Sequence, residues 1–250
     1  PAFYVPRPAS ERAVAALPAA LERQTERVVL LYGPPGIGKS VVLDQVALAI
    51  RPPAVCLRID HAGLSLDDLC AWFARELETQ AIDAGRHRSW SERMRDALSR
   101  KHSERRDARS DLIQQIEHLR RIDARVFALI DEADEMGAAT LQGLSEVVQR
   151  CTGGLRICVA TSNDHELAAF EATTEVIRYV DPLSETETRE YIDSRFQRAH
   201  VGAALRSRLD PKRLQRLHRF SGGNPRRLHA ELSLIRIELG AHGAVETPLP

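Results

Sequence analysis

The sequence predicts an α/β protein: a parallel sheet covered by helices on both faces, followed by a small helical unit. Three observations carry that prediction. Five short apolar runs, Val28 to Tyr32, Ala54 to Ile59, Arg125 to Asp131, Leu155 to Thr161 and Val176 to Val180, are continuous rather than alternating, as strands buried on both faces must be. Amphipathic stretches of helical period stand between most of them. After Pro182 the strand signals stop and three helical stretches close the chain. We therefore expect an α/β domain over residues 1–181 and a helical lid over residues 182–250.

In chain order, Pro8, Ser10 and Glu11 open a helix through about Gln24, with Ser10 as its cap. The first strand, Val28 to Tyr32, runs into a glycine-rich turn and then a helix from Lys39 to Ile50, which Pro52-Pro53 breaks. Ala54 to Ile59 is the second strand and Ser65 to Gln80 an amphipathic helix. The basic stretch from Arg86 to Arg109 is weakly periodic and takes no assignment. Leu112 to Arg121 is helical, Arg125 to Asp131 the third strand and Ala138 to Arg150 the next helix. Leu155 to Thr161 and Val176 to Val180 complete the strands, and helices follow near Glu185 to Ala199, Asp210 to Phe220 and Pro225 to Leu239.

Composition narrows the function classes. At 43% hydrophobic and 28% charged, the 250 residues have the balance of a globular protein rather than a disordered, collagenous or coiled-coil chain. No apolar run approaches the roughly 20 residues of a membrane-crossing helix, so no membrane contact is expected. The chain starts at Pro1 without a basic-then-apolar leader, which reads as a fragment of a longer cytoplasmic protein. The cysteines at 56, 70, 151 and 158 lack metal-ligand spacing and are expected to be reduced. A net charge of zero hides segregation. Residues 86–109 and 206–236 are strongly basic, whereas 131–190 is acidic.

Gly33-Pro34-Pro35-Gly36-Ile37-Gly38-Lys39-Ser40 matches the phosphate-loop pattern in the required place, after a strand and opening a helix. Backbone amides reach phosphate oxygens only where side chains do not intervene, hence the glycines. Lys39 is expected at the β and γ phosphates and the Ser40 hydroxyl at Mg²⁺, with Val41 following in the nucleotide-contacting stretch. Val41 also argues against a dinucleotide loop, which calls for glycine or alanine at its final position.

The strand ending Asp131-Glu132 supplies the second half of such a site: Asp131 for Mg²⁺ through water, and Glu132 to polarise the attacking water. Asp134 and Glu135 are read as surface charges or a cap. At the end of the next strand, Asn163 is the first choice to sense the γ phosphate and Thr161 the second. In Ser221-Gly222-Gly223-Asn224-Pro225-Arg226-Arg227-Leu228, two arginines open a helix whose dipole favours anions there. A phosphate would relieve that conflict, through Arg226 first or Arg227.

Four motifs thus stand in order: GPPGIGKS, VFALIDEAD, ICVATSN and SGGNPRRL. Together they resemble the AAA+ ATPases over about residues 27–239, and within them the branch holding ExeA-type secretion ATPases, MuB- and TnsC-like transposition ATPases and Orc/Cdc6 initiators. The resemblance implies a five-stranded sheet in the order 5-1-4-3-2 with a helical lid. It also implies ATP between the lobes and action through nucleotide-dependent assembly. It makes Lys39 and Ser40 Walker A, Asp131 and Glu132 Walker B, Asn163 sensor 1 and Arg226 sensor 2. Such proteins usually complete a neighbour's site with an arginine after sensor 1, but residues 165–176 hold none. Arg178 and Arg150 are the substitutes.

The leading expectation is an ATPase switch using ATP and Mg²⁺, homo-oligomeric and engaging DNA through residues 86–109 and 206–236. Protein partners are expected as well. The alternatives are a STAND-like signalling NTPase acting through protein partners and an ExeA-like secretion ATPase.

Overall fold

The computed structural model describes residues 7–22, 27–51, 53–60, 63–83, 107–162, 174–198, 206 and 209–240. Helix α1 (Pro8–Glu22) precedes strand β1 (Val28–Tyr32), and α2 (Lys39–Ala49) leads to β2 (Ala54–Ile59). Helices α3 (Leu66–Asp83) and α4 (Ala108–Arg121) come before β3 (Arg125–Ile130). A single 3₁₀ turn (Ala133–Glu135) then leads to α5 (Ala138–Arg150), β4 (Leu155–Thr161) and β5 (Thr174–Tyr179). The chain continues in α6 (Glu185–Arg198), α7 (Pro211–Ser221) and α8 (Pro225–Gly240).

The strands β1, β4, β3 and β2 adjoin in that order, all parallel, and β5 pairs parallel to the other side of β1 with a register shift at Val28/Val29. Parallel strands need crossovers, and helices supply them on both faces. Val28 and Leu30 of β1 join Val55, Leu57, Ala128, Ile157 and the inner faces of α3, α4 and α5 in one core. Val29 and Leu31, one residue out of phase, join Phe127, Leu129, Cys158 and the inner faces of α1 and α2 in the other. Both faces being buried is why these strands are apolar throughout. A third, smaller core holds Leu183, Ile192, Phe196, Leu217 and Leu228 within α6, α7 and α8 and the segment leading to them.

The helix ends follow local chemistry. Ser65 caps α3 through the Asp68 amide (3.2 Å), Asp107 caps α4 through Ser110 (2.8 Å), and Asp210 caps α7 through Arg213 (2.7 Å), with Pro211 next in line. Ser184 and Glu187 form a reciprocal capping box on α6, at 2.8 and 3.2 Å. The expected cap of α1 is corrected. Pro8 takes the first helical turn, so Ser10 lies inside the helix and its hydroxyl donates to the Arg7 carbonyl (3.2 Å). The four cysteines are free, with burial pushing Cys56 up to about 11 and Cys70, Cys151 and Cys158 up to about 12. Among the described residues no helix is long and apolar enough to cross a membrane.

Candidate nucleotide site at the carboxyl edge of the sheet

The turn between β1 and α2 lies at the carboxyl edge of the sheet, where a topological switch opens a crevice. The Gly33 amide donates to the Thr161 carbonyl at 3.3 Å, stitching the loop to β4. Gly36 (φ 77°) and Gly38 (φ 106°) are both left-handed, a conformation that side chains resist. Lys39 begins α2 and is only 8% exposed. Its Nζ donates to the carbonyls of Gly33 (2.7 Å) and Pro34 (3.3 Å) and to Ser162 Oγ (2.7 Å). Burial pulls its pKa below the ordinary lysine value, while Asp134, Asp131 and Glu132 push the other way. Ser40 is exposed in the first turn of α2 and Val41 is half-buried behind it.

Asp131 directly follows β3 and is buried. Its Oδ1 accepts from the Glu132 amide (3.0 Å) and its Oδ2 from Arg58 Nη2 (3.1 Å). Glu132 takes a left-handed turn (φ 51°) with its side chain exposed. A side chain in that region is strained, and such strain gathers at functional sites.

Asp134 differs from its sequence reading. Although exposed, its carboxylate accepts from Thr161 Oγ1 (2.6 Å) and from the Ser162 amide (2.8 and 3.0 Å), tying the end of β3 to the end of β4. Thr161, the second choice as phosphate sensor, therefore spends its hydroxyl proton on Asp134. Asn163, the first choice, lies outside the described residues. Ser162, between them, carries the contact to Lys39, which β1 next to β4 makes possible, while β3 next to β4 brings Asp134 to Thr161 and Ser162.

The amino end of α8 docks on the loop. Asn224 caps it, its Oδ1 accepting from the Arg226 (3.0 Å) and Arg227 (3.3 Å) amides, while its Nδ2 donates to the Pro35 carbonyl (2.8 Å). The Arg226 amide also lies 3.2 Å from the Gly36 carbonyl. A Cβ on Gly36 would stand 2.5 Å from Arg226 Cβ and 2.9 Å from its Cδ, so only glycine admits this approach. Arg226 thus reaches the loop by its backbone and aliphatic stem. Its side chain and that of Arg227 remain exposed. A cleft of about 330 Å³ lies here, lined by Pro34, Pro35, Ile37, Pro182, Asn224 and Arg226.

Sequence reasoning missed two arginines. Arg7 is buried and donates to the carbonyls of Asp181 (2.7 Å) and Ile37 (2.5 Å), clasping the phosphate loop to the segment after β5. Nothing local marks it except its place before Pro8. Arg58, inside an apolar strand, donates through Nε to Asp44 (3.2 Å), and its Nη2 lies 3.0 Å from Asp60 and 3.1 Å from Asp131. A charged side chain in a buried run was the signal available. Of the candidate arginine fingers, Arg150 is exposed at the end of α5, and Arg178 stands on β5 opposite Leu31.

These residues fit a nucleoside triphosphate with a divalent ion. Left-handed glycines free the loop for a phosphate, and Lys39 offers a cation. Among the described residues there is no cluster of three or more His, Cys, Asp or Glu able to hold a metal. One carboxylate and one hydroxyl, Asp131 and Ser40, suit Mg²⁺, which takes few protein ligands and completes its shell with phosphates and waters.

Comparison with known proteins agrees with the fold. Among the solved structures that superpose on the chain are the following. Cdc6p from Pyrobaculum aerophilum is 17% identical, with a TM-score of 0.55 over 78% of this chain and 51% of that one. The RuvB Holliday junction branch migration motor of Thermotoga maritima is also 17% identical, with a TM-score of 0.55 over 94% and 63%. Domain III of the replication initiation protein DnaA of Thermotoga maritima is 15% identical, with a TM-score of 0.50 over 97% and 90%. The chain thus spans 51% and 63% of the lengths of the first two. No curated protein matches its sequence. A family model described as an AAA domain matches residues 22–167, more than half of the sequence. With that match laid over the phosphate loop and the acidic end of β3, the chain belongs to the AAA domain family, the AAA+ P-loop ATPases.

Proposed function

We propose that this protein is an ATPase switch, binding ATP and Mg²⁺ between the α/β domain (1–181) and the helical lid (182–250) and hydrolysing ATP to drive assembly or remodelling on DNA. The observation that carries the reading is what gathers around one loop: Lys39 donates to Ser162, whose amide Asp134 also holds, Arg58 links Asp131 to the Ser40 carbonyl, and Asn224 and Arg226 of α8 bond the loop backbone.

Bound MgATP supplies the phosphoanhydride and the charge neutralisation on which phosphoryl transfer to water depends. Gly33, Pro34, Pro35, Gly36, Ile37 and Gly38 form the cradle, with Val41 behind it. Lys39 exchanges neutral carbonyl partners for anionic oxygens, a gain for a desolvated ammonium. Ser40 and Asp131 hold the ion. Glu132 takes the proton of the attacking water, and its exposed carboxylate is available for that. Asn163 is the γ-phosphate sensor. Arg226 offers positive charge from α8, so that nucleotide state sets how firmly the lid is held. Arg150 or Arg178 completes the site of a neighbouring copy in a homo-oligomer.

DNA is the partner favoured by charge. Lys212, Arg216 and Arg219 recur on α7 at spacings of four and three, all exposed, beside Phe220 at 71% exposure. The other basic segment, 86–109, lies almost wholly outside the described residues. Filter binding with ATP at low salt, falling steeply as salt rises, is the expected result. No retention at low salt rejects DNA as the partner.

For the site itself, Lys39→Ala is expected to abolish ATP binding, and Glu132→Gln to keep binding while stopping turnover. Undiminished hydrolysis by Glu132→Gln removes that residue from its role. The direct bond from Asn224 to Pro35 also favours a STAND-like switch that retains ADP. Tightly held ADP without turnover is its signature.

A further inference from the structure

Arg58 stands at the carboxyl end of β2, its side chain 17% exposed. One nitrogen, Nη2, has four oxygens around it: Asp60 Oδ1 at 3.0 Å, Asp131 Oδ2 at 3.1 Å, Asp44 Oδ1 at 3.2 Å and the Ser40 carbonyl at 3.5 Å. It carries only two hydrogens, so it is oversubscribed and loses little by releasing one partner. The Nε bond to Asp44 (3.2 Å) anchors the guanidinium independently of Asp131. Asp44 and Asp60 are roughly half to two-thirds exposed, whereas the Asp131 side chain is 6% exposed. An anion as buried as Asp131 needs a compensating cation at all times.

We propose that Arg58 is a built-in counter-cation for the metal position. It neutralises Asp131 in the empty site and yields that carboxylate to a divalent ion by falling back on Asp44 and Asp60. The arrangement makes metal entry an exchange of one cation for another. It keeps the acidic edge from repelling an incoming polyphosphate, and it weakens the site for metal arriving alone. The inference rests on the reading of Asp131 and Ser40 as the metal residues.

Mn²⁺ is the probe, with free ion read by electron paramagnetic resonance on nucleotide-free protein. Arg58→Gln is expected to bind Mn²⁺ at least about tenfold more tightly than the parent, because a unit charge beside the ion is removed. Arg58→Lys, which keeps the charge, stays within about twofold of the parent. Adding Asp131→Asn to Arg58→Gln abolishes the gain. Equal affinities for Arg58→Gln and parent, or a gain that survives Asp131→Asn, overturns the proposal. If Arg58→Gln does not fold, the parent protein decides alone. The Arg58 Nε–H resonance, assigned by its loss in Arg58→Lys, should shift as Mg²⁺ is added, and a constant resonance up to about 20 mM overturns the idea equally. No nucleotide is present, so these outcomes are separate from the ATP-binding and turnover tests of Lys39→Ala and Glu132→Gln.

Discussion

Replacing Gly36 by alanine tests whether α8 truly rests on the phosphate loop. Two costs arise at once. An L residue forced to φ 77° is strained by about 1–2 kcal/mol. The new methyl also falls 2.5 Å from Arg226 Cβ and 2.9 Å from its Cδ, separations that real Cβ atoms essentially never show, and a tight 3.1 Å from Asn224 Oδ1. Moving α8 outward to ordinary contact breaks the Asn224 to Pro35 bond (2.8 Å) and the Arg226 to Gly36 bond (3.2 Å), about 1 kcal/mol each. The sum is about 3–4 kcal/mol, read as a loss of unfolding free energy in urea. A second readout follows the geometry. Spin labels on Leu48→Cys in α2 and Leu234→Cys in α8, both well exposed, should separate further in the variant. The native cysteines interfere little, because burial holds their thiols protonated. A Gly36→Ala protein within about 1 kcal/mol of the parent, with an unchanged label separation, refutes the docking.

Asp134→Ala should cost about 2 kcal/mol in urea and speed amide exchange at Ser162, since it removes the acceptor for Thr161 and Ser162. A loss under about 0.5 kcal/mol argues that the tie between β3 and β4 is unimportant. The helical cluster should weaken in acid through His229. Its ring meets the Tyr191 hydroxyl at 2.9 Å and Arg195 at 3.5 Å, and burial, aided by Arg195, lowers its pKa below the ordinary 6.5. The unfolded chain therefore takes up this proton first. The stability is complete above about 6.5 and is lost as pH falls from there toward the lowered value. Thermal melts between about pH 7.5 and about pH 5.5 should show a slope that His229→Gln reduces, and an unchanged slope assigns the effect elsewhere.

The sheet was legible because its strands are short, apolar and bounded by turn residues. Val28–Tyr32, Ala54–Ile59 and Leu155–Thr161 fall where the pattern puts them. The phosphate loop was legible because its chemistry needs glycines and a lysine at fixed spacing within a few residues. Contacts that depend on which strand lies beside which were not. Lys39 meets Ser162 across 123 residues, and Arg58 meets Asp131 across 73, through lateral order that no local pattern encodes. The first turn of α4 was hidden because its residues belong to a basic run whose polarity masks the helical period. Asp134 looked like surface charge because exposure and hydrogen bonding are independent, and a strand end leaves backbone amides in want of acceptors.

The hydrophobic residues of the helical cluster form a core separate from the two on either face of the sheet, and the join between the bodies includes polar bonds such as Asn224 to Pro35 and Arg226 to Gly36. Water can replace each of these bonds. Opening the join leaves all three apolar cores closed, so its heat-capacity change is small beside that of global unfolding. The free energy between open and shut forms should therefore vary almost linearly with temperature, without the curved dome of the global melt.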